Sequence, residues 1–222
     1  LEHMGIIAFG LGIGGPVALA GALLHALNHA LTKALMFLTF GNVRREYARQ
    51  EGLSEVPDKR ITGVLQKMTG SGVVLLFGGL GLVGSPPFNI FLSEFIILWA
   101  ALDRIVNPLT GNAIPAAVYI LSVALFLITV TLIFGGLVGH LARLLLDRAP
   151  DASPEAEQQA AEGQESVGSD SPGFRDRAGQ LIPLLVLMAI IVLFGVWIPR
   201  APVNFLALLQ ESVRILQYGA GP

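Results

Sequence analysis

Four stretches of this chain stay apolar for about as long as a helix needs to cross a bilayer, roughly 20 residues. They run from about Pro16 to Phe40, from about Ser71 to Leu102, from Ile114 to Gly139 and from Leu181 to Ile198. The third holds no charge at all, and the fourth is closed by Pro199 and Arg200. The apolar opening, Met4 to Gly15, is too short to span and reads as the outer end of a truncated helix. Residues 150–180 change character: Glu, Gln, Ser, Ala and Pro dominate, and large apolar side chains nearly vanish. Such a segment buries too little area to offset its ordering entropy, which predicts a disordered linker. Beyond the last span, Phe205, Leu209, Val213 and Leu216 share one helical face, largely opposite Asn204, Glu211, Arg214 and Gln217. That is the pattern of an amphipathic helix lying on a surface or against a partner. The pattern predicts an all-α integral membrane protein: four main transmembrane helices, a truncated N-terminal helix and a C-terminal amphipathic helix. Its regions are a membrane bundle at 1–149, the linker at 150–180, and the last span with its surface helix at 181–222.

Polar chemistry interrupts two of the spans. In the first, His25, Asn28, His29, Thr32 and Lys33 fall at roughly 0, −60, 40, −20 and 80° around the helix axis, within about 140° of arc. Leu23, Leu24, Leu27, Leu31, Leu35 and Leu38 take the other side. Ionisable groups inside a membrane are costly and face a bundle interior or a wet path. Imidazoles and an amine spaced one helical turn apart suit a water-bridged proton relay. Two plainer readings stand beside it. The stem of Lys33, about 12 Å from Gly41 along the axis, nearly reaches the interface by snorkelling, and the histidines suit interhelical hydrogen bonding. His25, about 24 Å from Gly41, lies too deep for snorkelling, which favours the relay.

The second span is broken. Pro86 and Pro87 lack N–H donors, Pro86 disfavours helical geometry at Ser85, and Gly84 precedes them. Unwound backbone at that depth is tolerated only where protein buries it or a cavity borders it. Glu94 follows in an otherwise apolar half-helix. A carboxyl group there is either protonated or paired with a cation, and either state makes it a proton donor or acceptor. A structural kink with a hydrogen-bonded Glu94 is the plainer reading. In the third span, Ser122, Thr129 and Thr131 are expected to bond back to carbonyls of their own helix. His140 fits the inner mouth of a path and an interfacial position equally well.

Composition supports the membrane reading. Of 222 residues, 53% are hydrophobic and 14% charged, against about 25% charged in soluble domains. The absence of cysteine excludes disulfides, thiolate metal sites and iron–sulfur ligation by this chain. No basic stretch resembles a nucleic-acid footprint, so no nucleic-acid partner is expected. Arg44, Arg45, Arg49, Lys59, Arg60 and Lys67 lie between the first two spans, Arg104 alone between the next two, and Arg143, Arg148, Arg175 and Arg177 after the third. That alternation places the first and third connections in the cytoplasm, and with them the linker.

Together, "LEHMGI", "LLHALNHALTKALMFLTFGNV", "DKRITGVLQ" and "GLVGSPPFNIFLSEFIIL" resemble the antiporter-like subunits shared by respiratory complex I, multisubunit cation/proton antiporters and membrane-bound hydrogenases. The "NHALTKALMFLTFGNV" and "GSPPFNIFLSE" forms are similar to the hydrogenase-4 component F branch. The opening matches the "E-H-M-G" segment of a family helix. The resemblance covers nearly the whole chain except 150–180, but only the C-terminal part of a family member, which is built from two inverted repeats. It implies that His25, His29 and Lys33 occupy central relay positions and that Glu94 is the charged residue of the broken helix, Gly84, Ser85, Pro86 and Pro87. Asn28, Thr32 and His140 would support them. The first repeat must then come from a second polypeptide, or the sequence is a fragment.

The expected function is a proton-translocating subunit of a hydrogenase-4 or complex I-like redox complex in the cell inner membrane, driven by electron transfer in partner subunits. It has no catalytic residue, metal or cofactor of its own. The expected partners are other membrane subunits, lipid and protons. Three alternatives stay open: exchange of Na⁺ or K⁺ for H⁺ with Glu94 in the cation site, a non-conducting scaffold subunit, and a partner in inorganic-carbon uptake.

Overall fold

The computed structural model describes residues 2–51, 61–107, 115–147, 174–197 and 211. Among the described residues all regular structure is helical: α1 (Glu2–Ile13), α2 (Gly15–Glu51), α3 (Val64–Lys67), α4 (Thr69–Leu82), α5 (Asn89–Val106), α6 (Ala116–Leu146) and α7 (Phe174–Trp197). By length and composition, α6 and residues 179–196 of α7 qualify as membrane spans, while α1 and α4 are shorter apolar helices. The amphipathic helix expected after 198 lies outside the described residues, apart from Glu211, and so does the linker from 150 to 173. α7 begins at Phe174, inside the stretch read from composition as linker.

The longest helix runs beyond its expected end at Phe40. At 37 residues, α2 is about 55 Å long, well over a hydrocarbon core of about 30 Å. The connection expected from Asn42 therefore starts as helix. Glu46 holds Arg49 one turn on at 2.7 Å and accepts a hydrogen bond from Gln50 at 3.2 Å. Such i,i+3 and i,i+4 pairs add a few tenths of a kcal/mol each. Val43 and Tyr47 on the adjoining face are buried, and that packing carries the extension.

The interruption of the second span has a defined form. Gly84, at φ 69°, is in the left-handed conformation that costs a glycine little. Its N–H bonds the Gly81 carbonyl at 3.2 Å, and the Ser85 N–H bonds the Leu80 carbonyl at 3.1 Å, the pair of bonds that closes a helix as a Schellman motif. Phe88 N–H then bonds Ser85 O at 3.0 Å, the Pro86–Pro87 peptide is cis, and α5 starts at Asn89.

The chain divides into two compact units. The first comprises residues 1–33, 80–136 and 189–222. Ile13, Ala18, Ala100, Ala101, Tyr119 and Val123 form one of its apolar cores. Small residues let its helices approach: a Cβ on Gly21 would stand 2.9 Å from Ile97 Cγ1, and one on Gly10 3.1 Å from Ala22 Cβ. α7 presses on the break in the same way, since a Cβ on Gly195 would stand 2.6 Å from Phe88 C and 2.8 Å from Asn89 N. Backbone does not give way as a flexible side chain does. Gly195→Val is therefore expected to destabilise the protein by about 3 kcal/mol, read as a lower melting temperature in detergent, and an unshifted melting curve would contradict this packing.

The second unit comprises residues 34–79 and 137–188. Val43, Tyr47, Ile61, Val64, Leu75, Leu141 and Leu145 make its core. Lys67 Nζ donates to Tyr47 Oη at 2.8 Å and lies 4.1 Å from the ring centroid. Between these buried ends α6 is mostly exposed, with Leu121 and Leu132 each keeping 71% of their surface. An apolar face of that extent needs lipid or protein cover. Ser122, Thr129 and Thr131 donate to the carbonyls four residues back at 2.7–2.8 Å, as expected.

Candidate functional site

The polar stripe of α2 and the first turns of α5 form one seam. Because the break fixes where α5 begins, Asn89 and Ser93 stand one turn apart and face α2. Asn28 Nδ2 donates to the Asn89 carbonyl at 2.7 Å and to Ser93 Oγ at 3.4 Å. Thr32 Oγ1 donates to Asn89 Oδ1 at 3.4 Å. His25 Nδ1 lies 3.0 Å from Ser93 Oγ. His25, Asn28, Thr32, Asn89 and Ser93 are all fully buried. Polar side chains hold helices together in this way where no water competes.

A third helix joins the seam at a residue whose part could not be read from its place in the chain. His3 of α1 is buried, and its Nδ1 lies 3.1 Å from His25 Nε2. Its ring also stacks on His29, with centroids 4.2 Å apart. The available signal was a histidine inside the "LEHMGI" opening, which carried the resemblance without being given a role. Asn89 was missed as well, since its importance comes only from its register against Asn28 and Thr32.

Glu94 completes the cluster. One ring nitrogen each from His3 and His25 and one Glu94 carboxylate oxygen lie within 4.8 Å of one another. The carboxyl group packs over the break: a Cβ on Gly84 would stand 3.1 Å from Glu94 Cδ. Asn28 Oδ1, His29 Nδ1 and Asn89 Nδ2 are buried with no hydrogen-bond partner among the described residues. Buried polar atoms are rarely left unsatisfied, so the seam keeps spare donor and acceptor capacity beside an acid and three imidazoles. Proton exchange needs that combination.

The five-residue stripe of α2 is not uniform. His25, Asn28 and Thr32 face α5, His29 is half-buried, and Lys33 is exposed on this chain. Burial thus falls across the arc from the −60° side to the 80° side. The expectation that Lys33 faces the interior with the histidines is corrected for this chain by itself: one turn beyond His29, it stands at the edge of the seam. His140 is exposed on α6 and is not part of the cluster. Gly84, Ser85, Pro86 and Pro87 form the break as expected.

The pattern of the family described as "NADH:quinone oxidoreductase/Mrp antiporter, TM" matches residues 1–117. A hydrogenase-4 component F homolog of Methylacidiphilum infernorum is 34% identical over 135 residues, which is 61% of this chain and 27% of that protein. NADH-quinone oxidoreductase subunit N of Desulforudis audaxviator is 28% identical over 201 residues, 89% of this chain and 34% of its own length. The chain therefore spans about a third of these relatives or less. The structure of the Mrp complex from Dietzia sp. DQ12-45-1b contains a chain of similar fold, with a TM-score of 0.68 over 98% of this chain and 41% of that one, at 19% identity.

Proposed function

The chain belongs to the NADH:quinone oxidoreductase/Mrp antiporter transmembrane family, and from that premise we propose that it moves protons within a multi-subunit membrane complex. Its relatives are antiporter-like membrane subunits of hydrogenase and NADH-quinone oxidoreductase complexes, and this chain is likewise membrane-embedded. The observation that carries the proposal is the acid of the broken helix, Glu94, gathered with buried imidazoles of α1 and α2. A carboxyl group kept among proton acceptors and shielded from bulk water exchanges protons with them along fixed directions.

In this reading Lys33 alternates between its charged and neutral forms and passes protons to His29 and the deeper histidines. Glu94 biases the Lys33 charge by mutual attraction and takes up or releases the proton. The seam bonds of Asn28 and Thr32 hold α2 and α5 in register. Electron transfer in partner subunits of hydrogenase or NADH-linked type drives the cycle, and the missing first repeat is supplied outside the 222 residues. The membrane is the cell inner membrane, with the 150–180 stretch on the cytoplasmic side.

The test is Lys33→Ala in the assembled complex. Proton translocation in inverted vesicles is expected to fall by about a hundredfold or more while the subunits still co-purify; full translocation in that variant would reject the relay. The family description also names antiporters, so exchange of Na⁺ or K⁺ for H⁺ is the second reading. Transport that requires sodium or potassium in proteoliposomes selects it. A scaffold role predicts that neither Lys33→Ala nor Glu94→Gln alters translocation.

A further inference from the structure

Two ring nitrogens and a carboxylate oxygen, from His3, His25 and Glu94, gather within 4.8 Å of one another. That is a donor set used by divalent transition-metal ions, zinc above all. The three residues lie on α1, α2 and α5 within one compact unit. Both histidines are buried and Glu94 is half-buried. We propose that this cluster binds Zn²⁺, taken up from the surrounding solution as an inhibitor rather than kept as a cofactor. The inhibition rests on the relay reading above, because it acts through Glu94; the binding does not.

Each ligand is set for the ion in its own way. His3 Nδ1 and His25 Nε2 lie 3.1 Å apart. Two nitrogens bound to one zinc at about 2.0–2.1 Å each stand nearly that close, and a slight opening of the pair makes the angle tetrahedral. Ser93 Oγ donates its only proton to the Ile90 carbonyl at 2.8 Å, so it accepts from His25 Nδ1 at 3.0 Å. The Nε2 lone pair is thereby turned towards His3. An oxygen acceptor on the far ring nitrogen is what orients a zinc-bound histidine.

On binding, the His3 proton moves from Nδ1 to Nε2, and Glu94 ligates as the carboxylate, giving any proton it holds to solvent. The acid has farthest to come. Ligand atoms around a tetrahedral zinc stand about 3.3–3.5 Å apart, and rotation about the Glu94 side-chain bonds, lifting the carboxyl off Gly84, supplies the approach. Water takes the fourth position. His29 stacks on His3 with centroids 4.2 Å apart, and its Nδ1 is buried with no hydrogen-bond partner among the described residues, which leaves it able to bond that water. Two imidazoles among three ligands disfavour Na⁺, K⁺, Mg²⁺ and Ca²⁺, which take oxygen. Once tied to zinc, the Glu94 carboxylate no longer exchanges a proton, and translocation stops while the helices keep their places.

The test titrates the full chain in detergent with Zn²⁺, and with Co²⁺ as a visible probe, for wild type, His3→Gln, His25→Gln, Glu94→Gln and His3→Cys. Wild type is expected to bind one Zn²⁺ per chain in excess Mg²⁺, with X-ray absorption showing nitrogen and oxygen neighbours at about 2.0–2.1 Å. Each glutamine variant is expected to bind about a hundredfold more weakly. Because the chain contains no cysteine, a thiolate-to-cobalt band in His3→Cys reports ligation at position 3, and binding with that band is expected. Equal zinc binding by wild type and the glutamine variants, or His3→Cys without the band, overturns the site and leaves the relay reading untouched. In the assembled complex, Zn²⁺ is expected to stop proton translocation in vesicles and a chelator to restore it. His3→Gln, measured against its own zinc-free rate, should need about a hundredfold more zinc for the same loss. Equal sensitivity of the two proteins places the block elsewhere and overturns the inhibition. Full translocation by wild type with the site occupied keeps the metal site, and removes both the inhibition and the place of Glu94 in the relay.

Discussion

Glu94→Gln is expected to cut proton translocation by the assembled complex about a hundredfold, while Glu94→Asp keeps part of it. Glutamine fills the same space, so α5 and the break should hold their positions, but its amide does not exchange a proton in the range the cycle uses. Aspartate retains the exchange and withdraws the carboxyl by one methylene, which lengthens each transfer distance. The measurement is the rate of dye quenching in inverted vesicles, normalised to the amount of assembled complex. Equal rates for the glutamine variant and the wild type would show that the acid serves only to hold the helices together.

The second large effect is expected at Gly84. Any side chain there meets two obstacles: a backbone at φ 69°, which costs a non-glycine residue about 1–2 kcal/mol, and the Glu94 carboxyl group already in the space a Cβ would take. Gly84→Val should therefore displace Glu94 from the ring nitrogens of His3 and His25, or unwind the closing turn of α4. Either way translocation falls as far as in Glu94→Gln, and the melting temperature falls too. Glu94→Gln, by contrast, should leave the melting temperature nearly unchanged. A Gly84→Val protein that translocates normally would mean that the carboxyl group does not rest on the break.

How much of this was legible in the chain depends on the range of each interaction. The all-helical architecture, the break at Gly84 to Pro87 and the polar stripe of α2 follow from local rules: apolar run length, missing proline donors and the 100° step of a helix. The far end of α2 was misplaced because the apolar count stops at Phe40, whereas the helix continues on Glu46 pairing and on burial of Val43 and Tyr47, which no count of apolar residues registers. The stripe gave too even a view of its five residues. An arc of about 140° is wider than the contact one neighbouring helix makes, so His25, Asn28 and Thr32 are covered by α5, while Lys33 stands at the margin. His3 and Asn89 were out of reach, because their significance arises from contacts 22 and 61 positions away in sequence.

The glycine of α7 that rests on the peptide groups following Pro87 carries a consequence for how the molecule matures. A ribosome releases helices in order, and the interrupted segment enters the bilayer long before residue 195 has been made. Until then its unwound carbonyls have no covering helix from this chain and must be shielded by lipid headgroups, water or an insertion factor. Termination ahead of α7 would therefore leave Glu94 and the histidines of α1 and α2 in the product with the backbone of the break uncovered, and that product is expected to be short-lived. α7 thus covers a break encoded about a hundred residues upstream, on the order of half the chain.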